Sequence, residues 1–185
     1  MLIRKATIKD SQPIADYLLM AMEDIIYKFI GQQDYNKARD FLLYFIKSEN
    51  NQYSYQNCMV VEDENEIIAT VNLYDGAKLH KLRAPIITYV RAHFNTNFNP
   101  EDETQSGEYY IDCIAVHPNY QGKGVATKML QFLIQEYTVN QNGTLGLLVE
   151  EGKLSAKKLY LKLGFKSMGK KTLVGKQLYH LQIKS

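Results

Sequence analysis

Cysteine is nearly missing from this sequence: Cys58 and Cys113 are the two residues of that type among 185. Both sit inside apolar runs, which reads as two reduced, buried thiols rather than a disulfide scaffold. The four histidines add no spacing that would ligate a metal. An excess of charge of either sign is also missing. Twenty-two basic and 20 acidic residues leave a formal net charge of +2. That is too near balance to suggest a general binder of nucleic acid or of a membrane surface. There is no run of about 18 apolar residues to span a bilayer. The opening MLIRKATIKD lacks the organisation of a signal peptide, so a cytoplasmic protein is expected. No repeat and no low-complexity segment interrupts the chain. A chain of this length buries about two thirds of its unfolded surface, so residues 1–185 are expected to form a single domain that needs no staples.

What is present is a mixture of two periodicities. Residues 2–7 read as a strand, followed by a helix that Asp10 or Ser11 can cap, with Pro13 tolerated in its first turn. Ile14, Leu18, Met22, Ile25 and Phe29 give that helix one apolar face. A second helix is expected over 35–46 and a third over 79–94, with Leu79, Leu82, Ile86, Val90 and Phe94 inward. Residues 58–62 and 66–74 flank Asp63-Glu64-Asn65 as a hairpin. Residues 108–116 form a strand, 123–137 a helix, 144–150 a strand, and 155–163 a helix stopped by Gly164. Two strands, 165–168 and 177–183, close the chain. Hairpins together with a strand–turn–helix–strand unit place the fold in the α/β or α+β class.

The stretch HPNYQGKGVATKML, residues 117–130, holds the strongest local signal. Gly122 and Gly124 flank Lys123 just before a helical run. A nucleotide-binding P-loop needs a glycine five residues before the Gly122-Lys123 pair, where His117 stands. A dinucleotide fingerprint needs its third glycine at Thr127. Both fail. What remains is a helix start whose unpaired amides and positive dipole end can cradle a phosphate. Two glycines alone are better accounted for by a tight turn that requires them for backbone reasons.

Context narrows this. Gln121-Gly122-Lys123-Gly124-Val125-Ala126 resembles the Q/R-x-x-G-x-G/A signature of the GNAT superfamily of acetyl-coenzyme A-dependent N-acyltransferases. Ile114-Ala115-Val116-His117-Pro118 looks like that family's fourth strand. Ala156-x-x-Leu159-Tyr160-x-Lys162-x-Gly164-Phe165 resembles the helix and glycine-phenylalanine turn after its fifth. The resemblance covers the chain except about residues 75–107. It implies a mostly antiparallel central sheet splayed between strands four and five, helices on both faces, and acetyl-coenzyme A as co-substrate with no metal. The backbones of Ile114 and Val116 would then meet pantetheine, and the amides around Gln121, Gly122, Lys123, Gly124, Val125 and Ala126 would hold the pyrophosphate. Lys153 stands where the family often has asparagine; a lysine there reaches phosphate instead.

Amide formation by direct transfer needs a base for the amine, stabilisation of the carbonyl oxygen and an acid for the departing thiolate. Strand alternation puts Glu108, Tyr110, Asp112, Ile114 and Val116 on one face. This set runs from polar to apolar, as a strand leaving a wet cleft for a core would, with Glu108 furthest out. The family places its base, or the residues that wire a water to it, at positions matching Tyr110 and Asp112. Asp112 is preferred, because a carboxylate deep in a strand otherwise costs stability. Tyr160 matches the family's general-acid tyrosine. His117 reads as structural. Residues 75–107 are expected to be an insertion carrying a helix and the acidic run Glu101-Asp102-Glu103, either a solvated cluster or a lid that selects a cationic acceptor. The leading expectation is an enzyme acetylating a primary amine, whether a small molecule, a polyamine or a peptide amine, with no nucleic-acid or membrane partner and with room for a homodimer. A non-catalytic acyl-coenzyme A-binding module on the same fold is the alternative.

Overall fold

In the computed structural model, which describes residues 1–173 and 175–184, the elements run β1 (Leu2–Lys5), α1 (Ser11–Ile30), α2 (Tyr35–Lys47), β2 (Cys58–Asp63), β3 (Glu66–Asp75), α3 (Leu79–His93), β4 (Tyr109–Val116), α4 (Val125–Ile134), β5 (Thr144–Glu150), α5 (Leu154–Lys162), β6 (Lys166–Leu173) and β7 (Lys176–Lys184). The seven strands form one open sheet in the order β1-β2-β3-β4-β5-β7-β6. β4 and β5 run parallel, pairing Tyr109–Ile111 with Leu145–Leu147. The β1–β2, β2–β3, β5–β7 and β7–β6 pairs are antiparallel. The mixed α/β class and the largely antiparallel sheet are as expected from the sequence. The chain divides into two compact units.

The first unit comprises residues 1–73, 80–99 and 113–126. Its core is drawn from α1, α2, β2 and α3, with Ile14, Leu18, Leu19, Leu42, Ile46, Val60 and Val90 buried. The start of α1 differs from expectation. Asp10 occupies the cap position, but its carboxylate turns back to accept from the Thr7 amide (2.7 Å) and from two Arg4 nitrogens (2.8 Å each). The Arg4 hydrogen bond outweighs the effect of burial and holds the Asp10 carboxyl down to about 2. Ser11 instead donates to the Ile8 carbonyl. The apolar stripe of α1 also shifts. Met22 leaves helical geometry (φ −132°, ψ 28°). Beyond that kink Ile26 and Ile30 are buried, while Ile25 and Phe29 pack only partly. α2 forms where expected, buries Ala38, Phe41, Leu42 and Phe45, and is capped by Asp34 accepting from the Lys37 amide. The β2–β3 hairpin turns through Glu64 and Asn65, both at positive φ, as a two-residue turn matched to strand twist requires. α3 ends at His93, so Phe94, expected inward, is exposed.

The second unit comprises residues 74–79, 100–112 and from 127 onward. Met129, Leu130, Leu133, Leu145, Leu147, Phe165 and Leu181 are among its buried apolar residues. α4 is shorter than the 123–137 helix expected from periodicity and passes into a π-helical turn, Gln135–Asn140. β6 is longer than expected, because its lysine-rich, exposed sequence gives no apolar alternation to read. Its register with β7 shifts between Ser167 and Gly169.

Candidate functional site

The first unit holds the glycine turn. β4 ends at Val116, and the His117 amide donates to the Ile68 carbonyl (2.8 Å). His117 then caps a short turn: its Nδ1 accepts from the Asn119 amide (3.1 Å), and its ring packs edge-on to Tyr17 and Tyr120. This is the structural part expected of it. Gln121 donates from Nε2 to the Val116 carbonyl (3.1 Å), which ties the end of the strand to the turn. Gly122 and Gly124 follow at φ +74° and +80°, a region that L side chains enter only at a cost. A Cβ built on either would find no atom within 4 Å. The glycines therefore serve the backbone path and also leave open space in front of the turn. α4 begins directly after, at Val125. Gln121, Lys123 and both glycines are exposed, Val125 is buried and Ala126 half-buried. Lys123 Nζ lies 5.2 Å from the centre of the Tyr120 ring. Ile114 and Val116 are half-buried, alternating with buried Cys113 and Ala115. A helix start with bared amides, open space and a nearby lysine can hold phosphate oxygens.

The second unit holds the carboxylates. Here the expected direction of β4 is reversed. Glu108 is not the outermost residue of a wet face; it is buried, and so is Tyr110, while Asp112 is half-buried. Glu108 Oε1 accepts from Thr104 Oγ1 (2.7 Å), and Oε2 accepts from Gln182 Nε2 (2.6 Å) and lies 2.8 Å from His180 Nε2. Its backbone carbonyl accepts from the Gly76 amide (2.8 Å). Burial alone would raise its pKa, but the hydrogen bonds from His180, Thr104 and Gln182 together hold it below the ordinary carboxylate value. A buried carboxylate with three partners is occupied in joining the 104–108 loop, the foot of β4 and strand β7. Gly146, opposite Tyr110 in the β4–β5 ladder, leaves the necessary room: a Cβ there would sit 1.9 Å from Glu108 Oε2.

The acidic run divides as well. Glu101 and Asp102 are exposed, but Glu103 is buried and accepts from Tyr74 Oη (2.7 Å). Lys171 Nζ reaches the Glu103 backbone carbonyl at 3.4 Å. A solvated three-residue cluster is thus not what forms. Tyr74 packs edge-on against Tyr110 at 5.8 Å. Burial first, then the charges of Asp112 and Glu103, push its hydroxyl well above the usual tyrosine value. Tyr160, in α5, is buried edge-on to Phe165 with ring centres 5.8 Å apart. Lys153 is exposed at the start of α5, its amide donating to the Glu150 carbonyl. Sequence reasoning missed Tyr74, Thr104, His180 and Gln182. The one available signal was the alternation Leu178, His180, Gln182 on one face of β7, polar residues placed where a strand otherwise buries apolar ones. Among the described residues no group of three or more His, Cys, Asp or Glu could hold a metal, and no helix is long and apolar enough to cross a membrane.

Comparison with known proteins follows the same lines. The model of the acetyltransferase (GNAT) family matches residues 23–165. An N-acetyltransferase from Staphylococcus aureus Mu50 superposes with a TM-score of 0.86 at 25% identity, over 99% of this chain and 100% of that one. A second solved acetyltransferase gives 0.82 at 26%, over 100% and 99%. The fold is also that of yncA, a putative acetyltransferase from Salmonella typhimurium determined with its cofactor acetyl-CoA, with a TM-score of 0.61 at 17% identity over 99% and 92%. No match was found among curated proteins.

Proposed function

The chain belongs to the acetyltransferase (GNAT) family and is an acetyl-CoA-dependent acyltransferase, and from that premise we propose that it acetylates a primary amine by direct transfer. The observation that carries this reading is the Gly122–Gly124 turn, with two positive-φ glycines fronting open space at the start of α4. In this reading the amides around Gly122, Gly124 and Ala126 hold the pyrophosphate of acetyl-CoA, with Gln121, Lys123 and Val125 forming the turn. The backbones of Ile114 and Val116 meet the pantetheine arm, and Lys153 supplies a further positive charge. The residues present suit an anionic pyrophosphate, because nothing in the turn competes for the amides with a side chain of negative charge.

The reaction joins the amine nitrogen to the acetyl carbon and breaks the carbon–sulfur bond. An amine with a pKa of about 10.4 is mostly protonated at neutral pH and must first lose one proton. Attack by the neutral amine releases a second. Asp112, half-buried on β4, takes the first proton directly or through a water, with Tyr110 helping to order the path, and the second replaces the one that Tyr160 gives up. Tyr160 returns a proton to the thiolate as it leaves. Glu108, with its three partners, acts in this reading as a positioning residue that fixes the foot of β4.

Two measurements test it. Coenzyme A raises the melting temperature of the wild type, since it binds only the folded state, and Gly124→Val abolishes that rise. In a thiol-release assay with amine acceptors, Asp112→Asn lowers kcat by about 10²- to 10⁴-fold, the usual range of general acid–base help, with partial recovery at high pH. Tyr160→Phe lowers kcat with little change in coenzyme affinity and no such recovery. Absence of coenzyme A binding to the native protein defeats the reading of the turn. Full kcat in both variants defeats the assignment of base and acid.

A further inference from the structure

The near-balance of charge over the whole chain conceals a division along it. From residue 151 onward there are nine lysines, no arginine and one acidic residue, Glu151, for a net charge of +8. Residues 1–150 carry thirteen basic and nineteen acidic residues, for a net of −6. The lysine-rich stretch builds α5, β6 and β7 of the second unit. Part of it has a local reason. β6 is the last strand in the sheet order, and lysines on an edge strand keep other chains from pairing with it. That reason covers Lys166, Lys170 and Lys171 but not the helix.

α5 presents Leu154, Lys158, Leu161 and Lys162 outward, at the i, i+4, i+7, i+8 spacing of one helix face. Leu154 is 64% exposed and Leu161 44%, and Met168, just inside β6, is 60% exposed. A surface helix ordinarily turns its leucines toward the core; α5 buries Tyr160 and leaves two leucines outside among lysines. The helix and the lysine edge meet around Tyr179 of β7, whose ring centre lies 3.1 Å from Lys157 Nζ and 5.1 Å from Lys170 Nζ.

We propose that this outer face of α5, together with the lysine edge of β6, docks on an anionic lipid bilayer. Lysines draw the face to a negatively charged headgroup layer, and exposed aliphatic side chains among them enter the boundary between headgroups and acyl chains. A nucleic acid fits the same charge less well. Its unpaired bases take aromatic or arginine planes, and this stretch has no arginine. Tyr179 is already held between two lysines and donates to Glu151 (3.1 Å). The docking rests on charge and exposure and is independent of the acetyl-transfer reading.

Sedimentation of the full chain with phosphatidylcholine vesicles that contain phosphatidylglycerol tests it, against phosphatidylcholine alone. The protein binds the mixed vesicles, not the neutral ones, and binding falls as salt rises. Lys158→Gln with Lys162→Gln weakens binding about 25-fold, roughly fivefold for each lysine. Leu154→Ser with Leu161→Ser weakens it about tenfold, because the apolar contact is lost. All four positions are exposed, so both variants keep the wild-type melting temperature and the reading is free of unfolding. No binding to mixed vesicles overturns the proposal, as does binding indifferent to the leucine pair. Tighter binding to a single-stranded RNA oligonucleotide than to the vesicles overturns it in favour of nucleic acid.

Discussion

Two glycine-dependent places in the molecule solve opposite problems. At Gly122 and Gly124 the backbone enters a left-handed path and the space beyond is open. At Gly146 the space is filled, by the Glu108 carboxylate, whose oxygens are taken up by Thr104, Gln182 and His180. The first place is open, and in the function proposed above it takes the pyrophosphate of acetyl-CoA. The second is complete and holds loop, strand β4 and strand β7 together. The carboxylates along β4 are therefore not equivalent. A carboxylate buried with Thr104, Gln182 and His180 around it serves structure, whereas Asp112, the base in the function proposed above, is half-buried.

The sharpest way to break the contrast is Gly146→Ala. The added methyl carbon would meet Glu108 Oε2 at 1.9 Å, so the carboxylate must leave its partners or the strands must part. Leaving a buried ionised group without partners costs about 3 to 5 kcal/mol. Denaturant unfolding reads the loss, and a change under 1 kcal/mol, about the size of an ordinary surface substitution, shows that the cluster is looser than drawn.

Glu108→Gln is gentler. It keeps the size of the side chain but puts a donor where Gln182 already donates, and hydrogen bonds to charged groups contribute about 1.5 to 3 kcal/mol. The pH dependence separates charge from shape. The Glu108 carboxyl is held below its ordinary value in the folded protein. The stability it contributes is complete above that ordinary value of 4.5 and is lost as pH falls through the lower folded one. The difference in unfolding free energy between wild type and Gln variant therefore narrows in acid. A constant difference from neutral pH to well below 4 shows that the carboxylate charge is not what holds the cluster, and points to packing instead.

The open turn was legible in the sequence and the closed cluster was not, for a physical reason. The turn is local: Gln121 to Ala126 carry their own backbone requirements, and positive φ at two glycines follows from neighbours in the chain. The hairpin through Glu64 and Asn65 was readable on the same grounds. The Glu108 cluster joins residues more than seventy positions apart, and nothing in the sequence near Glu108 announces His180 or Gln182. Alternation along 108–116 identified which residues share a face but not which end of that face is open. The answer came from the loop at 104 and from β7. The run Glu101-Asp102-Glu103 misled in the same way, since Glu103 is drawn inward by Tyr74, a partner on β3. The Met22 kink, which moves the stripe of α1 by one residue, has no breaker in the sequence to mark it.

The smallest effect on stability is expected at Gly122→Ala, and it sharpens the comparison most. A Cβ there meets no atom within 4 Å, so the only cost is a left-handed alanine, about 1 to 2 kcal/mol. If the turn were merely a turn, that would be the whole effect, equal with and without ligand. If the open space receives a pyrophosphate, the added methyl stands where phosphate oxygens approach the amides, and the variant loses coenzyme affinity as well. The two contributions separate in one experiment: melting is followed without ligand and with increasing coenzyme A. A modest drop in melting temperature without ligand, together with a stabilisation by coenzyme A clearly smaller than in the wild type, supports a phosphate site. The same modest drop with wild-type stabilisation by the ligand leaves Gly122 a backbone requirement and moves the phosphate contact to Gly124 and the first amides of α4.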